Sequence, residues 1–141
     1  TTLRKEGAPL IRYRTHDLTR FKLGDCPCGS PYPRIDTLIG RTDDMTKVKG
    51  VNIFPSQIDE LLQDIPGASS EYQVMIDHLN GKDIMTLFVE AEPGADRQIL
   101  GANIGMTFKA KIGISISVKP VAIGELPRSE KKSTRIFDNR Y

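Results

Sequence analysis

Tryptophan is absent from this 141-residue sequence, cysteine occurs only twice, and aromatic residues make up 6% of it. Two cysteines cannot staple a small secreted fold, so a disulfide scaffold is excluded. Long apolar runs are missing as well. The longest, such as that around residues 87–89, are a few residues, far short of the roughly 20 that a spanning helix needs. Charge of one sign is scarce: 20 Lys and Arg stand against 18 Asp and Glu, a formal net charge of +2. That is no concentrated basic patch, and it argues against a nucleic-acid partner. What is present, 38% hydrophobic and 27% charged residues, is the composition of an ordinary globular domain. The length suits about one domain, or one domain plus a strip of another. No basic stretch followed by an apolar one opens the sequence, which leads to the expectation of a cytoplasmic protein without a secretory signal. The opening at Thr1, with no methionine, leads to the expectation of a fragment cut from a larger protein.

Residues 1–40 differ in character from the rest. Leu10-Ile11-Arg12-Tyr13-Arg14, Asp17-Leu18-Thr19-Arg20-Phe21 and Arg34-Ile35-Asp36-Thr37-Leu38-Ile39 alternate apolar and polar side chains, the pattern of half-buried strands. Between them the Gly- and Pro-rich stretch 24–31 forbids regular structure. From Asn52 the pattern changes. Ser56 precedes Ile58, Leu61, Leu62 and Ile65, which predicts a helix N-capped by Ser56, acidic at Asp59 in its first turn and stopped by Pro66-Gly67. Alternating segments 72–78 and 84–90 flank Asn80-Gly81, a strong hairpin signal. Residues 95–111 place Ile99, Ala102, Met106 and Lys109 at helical spacing, with Leu100, Ile104 and Phe108 widening the apolar face. Ile114 to Val118 alternates strictly and is expected to end at Pro120. Residues 52–123 thus read α-β-β-α-β, and 124–141 reads as a polar, basic loop. The fold class is α+β: a small mixed or antiparallel sheet flanked by helices, preceded by a β-rich strip.

Four stretches carry chemistry. Tyr13-Arg14-Thr15-His16-Asp17 puts a carboxylate at a strand end; an ionised Asp only accepts hydrogen bonds and so suits a ribose diol, although it also suits the capping of a turn. Gly40-Arg41-Thr42-Asp43-Asp44-Met45-Thr46-Lys47-Val48-Lys49-Gly50 brackets a charged segment with glycines that relax the backbone; a solvated hairpin reads the same way. Leu126-Pro127-Arg128-Ser129-Glu130-Lys131-Lys132 offers a positive charge for developing charge on phosphate or carboxylate oxygens, or is a plain basic tail. Cys26-Pro27-Cys28-Gly29 is either a turn with two thiols or half of a zinc site completed elsewhere, since tetrahedral zinc takes four ligands.

Taken together and in order, these elements resemble the adenylate-forming superfamily of acyl- and aryl-CoA synthetases. R-Y-R-T-x-D-L-T, C-P-C-G, R-T-D-D-M, G-V-N-I-F-P-S-Q-I and P-R-S-E-x-K…R-x-x-D-N-R look most like aryl-CoA ligases of the phenylacetate–CoA ligase type. The resemblance implies that residues 1–42 are the last strip of a large adenylation domain and 43–141 a mobile C-terminal domain. It implies an ATP-dependent ligase that forms an acyl-adenylate from an aryl acid and passes the acyl group to CoA, with Mg2+ in the first half-reaction. By the same resemblance Asp17 and Arg41 hold the ribose, Asp43 is the hinge, and Lys132 is the catalytic lysine of adenylation. Lys47, Lys49 and Gly50 then line the pantetheine tunnel. Lys131 stands where the family usually has Gly, and His16 where it commonly has Gly or Arg. The implied partners are the missing N-terminal large domain, the aryl acid, ATP and CoA, with neither nucleic acid nor membrane. The alternatives are another adenylate-forming ligase acting on a different acid and a non-catalytic α/β regulatory module.

Overall fold

A computed structural model describes residues 1–127 and 135–140. The chain forms two compact units, Thr1–Asp44 and Met45–Tyr141.

The first unit has little regular structure. Strand β1 (Asp17–Leu18) pairs antiparallel with β4 (Gly40–Arg41), and β2 (Phe21–Lys22) with β3 (Arg34–Ile35). The alternation at 10–14 does not make a strand. Arg12 adopts φ +50°, and the backbone N–H groups of Leu10 and Arg12 donate to the hydroxyls of Thr2 and Thr1 rather than to a strand. Ile11 and Tyr13 are largely exposed. Alternation signals a strand only where a neighbour completes the ladder, and here none does.

The second unit holds the core. A hairpin of β5 (Thr46–Val48) and β6 (Val51–Ile53) turns at Lys49 and Gly50, with φ of +49° and +83°, both left-handed as a two-residue type I′ turn requires. Helix α1 (Pro55–Gln63) follows. Ser56 is not its cap: the helix starts two residues earlier than expected, with Phe54 at the N-cap position and Pro55 in the first turn, where a missing N–H costs nothing. Gln57 Oε1 accepts from Phe54 N at 3.1 Å, and the first turn carries no acidic residue. Strands β7 (Ala68–Leu79) and β8 (Lys82–Ala91) form the hairpin around Asn80-Gly81.

Helix α2 (Arg97–Ile112) is capped by Asp96, whose Oδ1 accepts from Gln98 N and Ile99 N. Its buried face is Leu100, Ile104 and Phe108, whereas Ile99 and Met106 are 61% and 64% exposed. Thus the stripe expected to lead the apolar face points away from the core. Strand β9 (Ser117–Val121) runs through Pro120 instead of ending before it. Among the described residues it is an edge strand, paired only with β8, and an edge tolerates a residue with no N–H to donate. Gly101 of α2 lets the helix approach this proline: a Cβ there would lie 3.3 Å from Pro120 Cγ.

The tail is no mere loop. Ile136–Asp138 is strand β10, parallel to β7, so the sheet order is β10-β7-β8-β9. One face of the sheet (Tyr72, Val74, Ile76, Met85, Leu87, Val89) joins Ile58, Leu61 and Leu62 of α1, the α2 stripe, and Val48 and Ile53 of the first hairpin in a single apolar cluster. Each such side chain contributes about 1.5–3 kcal/mol by leaving water. The observed class is α+β, a small mixed sheet with two helices. Among the described residues no helix is long and apolar enough to cross a membrane.

Candidate functional site

The β1–β4 ladder places Asp17 directly opposite Arg41. Residues 24 positions apart in sequence therefore converge on one strand pair, with an acceptor and a five-donor guanidinium side by side. His16, at φ +65°, closes the same corner: its carbonyl accepts from Thr42 N at 2.8 Å and its Nδ1 lies 3.3 Å from Thr42 Oγ1. Arg41 makes a two-pronged ion pair with Asp43. The Arg41 guanidinium beside it holds the Asp43 carboxyl below the usual aspartate range.

Lys47, Lys49 and Gly50 lie in the β5–β6 hairpin of the second unit. Lys49 Nζ donates to Ser115 O at 2.9 Å, and an ideal Cβ on Gly50 would meet nothing within 4 Å. The Cα of Gly50 therefore faces open space. Lys131 and Lys132 lie outside the described residues.

Cys26 and Cys28 are free thiols whose sulfurs stand 2.9 Å apart. The Cys28 thiol and backbone N–H groups lower the Cys26 pKa. Two thiolates on one tetrahedral zinc with 2.3 Å bonds would be separated by about 3.8 Å. No group of three or more His, Cys, Asp or Glu able to hold a metal occurs among the described residues. Among the described residues the two thiols therefore have no further ligands with which to complete a tetrahedral set.

Residues that the motif reading gave no role are prominent here. Arg135 donates to Asp59 Oδ1 at 2.6 Å and lies over the Tyr72 ring, and Asn139 Nδ2 donates to Asp77 Oδ1 at 3.0 Å. Arg140 meets both Asp83 and Asp138. The R-x-x-D-N-R spacing was the available signal, but apart from Asp138 within the motif its partners Asp59, Asp77 and Asp83 are more than 50 residues away.

Residues 50–140 match the family described as AMP-binding enzyme C-terminal domain. This chain belongs to that family. It is 37% identical over 146 residues to phenylacetate-coenzyme A ligase of Escherichia coli (strain K12), a match covering 99% of this chain and 33% of the relative. A crystallised domain of phenylacetate-coenzyme A ligase from Bacteroides vulgatus is 34% identical, with a TM-score of 0.62 over 70% of this chain and 95% of that one. A 2-hydroxyisobutyryl-CoA ligase in its postadenylation state with 2-HIB-AMP is 29% identical, with a TM-score of 0.75 over 94% of this chain and 29% of that one. The chain thus spans about a third of the length of the curated relative it matches.

Proposed function

We propose that this chain is the C-terminal part of an ATP-dependent aryl-CoA ligase that activates phenylacetate or a similar aryl acid. The acid and ATP give an acyl-adenylate and pyrophosphate, and the CoA thiol then displaces AMP. Residues 1–42 close a large adenylation domain in this reading, and 43–141 form a mobile C-terminal domain that swings between the half-reactions in the cytoplasm. The observation that carries it is the 37% identity to a phenylacetate-coenzyme A ligase over 99% of this chain. The opposition of Asp17 and Arg41 across one ladder supports it physically.

In this reading Asp17 accepts from the ribose hydroxyls and Arg41 steadies the same sugar. Asp43 is the hinge, since a swing concentrates its φ/ψ change at one or two positions. Lys132 supplies positive charge between the substrate carboxylate and the α-phosphate during adenylation. Lys47, Lys49 and Gly50 line the path of the pantetheine arm in the second half-reaction. Magnesium accompanies ATP, and no residue of this chain is assigned to hold it.

The test uses the full-length ligase and measures the half-reactions separately. Lys132→Ala is expected to slow pyrophosphate release by about 10²–10³ and to leave thioester formation from pre-made adenylate intact. Equal slowing of both overturns the assignment of Lys132. The present chain by itself is expected to release no pyrophosphate from ATP and phenylacetate, because it has nothing to position the nucleotide against.

A further inference from the structure

Among the described residues the β5–β6 hairpin is a two-stranded element of its own, with no strand hydrogen-bonded to either edge. A lone hairpin this short is marginally stable in water, so its position depends on what else grips it. Val48 and Ile53 anchor its inner face in the core. Its backbone is gripped from outside by two side chains: Asp83 accepts a backbone hydrogen bond from Lys49, and Arg140 donates to the carbonyl of Lys47. Arg140 Nη1 donates to Lys47 O at 2.9 Å and to Asp83 Oδ2 at 2.7 Å, while Nη2 and Nε donate to Asp138 Oδ2 at 2.6 Å and Oδ1 at 2.8 Å. The Arg140 side chain is only 11% exposed. Asp83 is itself oriented through its other oxygen, 2.9 Å from His78 Nδ1.

One guanidinium therefore joins three segments that are remote in sequence: the hairpin, the start of β8, and the end of β10. A rigid planar fork can serve three acceptors at once, which an ammonium on a flexible stem does poorly. An exposed hairpin carbonyl would otherwise be satisfied by water. Here it is held by a charge that two carboxylates fix in place.

We infer that Arg140 is a positioning residue for the hairpin at 47–50, fixing the Lys47 carbonyl and with it the path that the hairpin offers during thioester formation. This role rests on the reading given above, in which the hairpin lines the pantetheine path. Arg140 touches no substrate in this account; it acts through the hairpin backbone, with Asp83 and Asp138 as its supports.

The experiment uses the full-length ligase with Arg140→Lys, which keeps the charge, Arg140→Met, which keeps much of the stem, and Gly50→Asn, which adds bulk at a left-handed position that Asn tolerates. Thioester formation from pre-made acyl-adenylate, pyrophosphate release and amide hydrogen exchange at residues 46–53 are each measured. Both Arg140 variants are expected to slow thioester formation about 10- to 100-fold, to leave pyrophosphate release near wild type, and to speed exchange in the hairpin. A wild-type thioester rate in Arg140→Lys and Arg140→Met, beside a slow Gly50→Asn, overturns the positioning role alone. A wild-type rate in Gly50→Asn overturns the assignment of the hairpin, and the role of Arg140 with it. Equal slowing of both half-reactions by Arg140→Lys, with a lowered melting temperature, also overturns the proposal, because the arginine then serves the whole fold.

Discussion

Arg41 grips Asp43 with both sides of its guanidinium, Nε at 2.9 Å from Oδ1 and Nη2 at 2.5 Å from Oδ2. The residue proposed to steady the ribose is thus tied to the residue proposed as the hinge. Both side chains are more than 40% exposed, so solvent screens the pair and it contributes little. That makes it a weak latch, compatible with the turning proposed for the backbone at Asp43.

If the backbone at Asp43 is what turns, Asp43→Pro in the full-length ligase fixes φ near −65° and traps one pose. One half-reaction should then slow by at least about tenfold, or roughly 1.4 kcal/mol, with the other little changed. Asp43→Asn, which loosens the grip on Arg41 but leaves the backbone free, should spare both. Single-turnover assays of each half-reaction check this. An Asn variant as selectively impaired as the Pro variant would show that the ion pair, not the swing, carries the effect.

Burial against α1 pushes the Tyr72 phenol up to about 12, and its hydroxyl donates to Pro55 O at 3.1 Å. The unfolded chain loses this proton near pH 10. The contribution is therefore complete below pH 10 and disappears as pH rises through about 12. Absorbance titration of the phenolates should show a late step near pH 12 that Tyr72→Phe abolishes. Urea unfolding between pH 9 and 12 should show a steeper loss of stability in the wild type than in Tyr72→Phe. Coincident titration curves for the two proteins would refute the assignment.

The two stripes of α2 should respond oppositely to truncation. Ile104→Ala and Phe108→Ala remove fully buried side chains and are expected to cost about 2–5 kcal/mol each. Ile99→Ala and Met106→Ala, on the exposed side, should stay within about 0.5 kcal/mol. Denaturant midpoints of the four variants decide the matter. A large loss at Met106 would mean that its side is covered by something else.

Where the code is local, the amino-acid sequence by itself determined the outcome. Asn80-Gly81 fixed the β7–β8 hairpin because few other pairs accept two successive left-handed residues. The apolar spacing from Ile58 to Leu62 fixed α1. The ordered motifs from Asp17 to Lys132 marked the family before any coordinates, because each needs only a short run of residues.

Tertiary structure decided the rest. Both stripes of α2 satisfy helical periodicity, and only docking onto the sheet chose Leu100, Ile104 and Phe108 over Ile99 and Met106. Pro120 stays in a strand because β9 occupies the sheet edge, a fact no local pattern contains. Residues 136–138 carry too short a pattern to announce a strand; their order comes from the parallel pairing with β7. The same holds for the polar sites. Asp17 meets Arg41 across a ladder, and Arg140 meets Lys47 from 93 positions away. A sequence specifies neighbours within a turn or a strand through backbone geometry, but which distant charges share one hydrogen-bonded cluster is settled only when the core closes and brings them together.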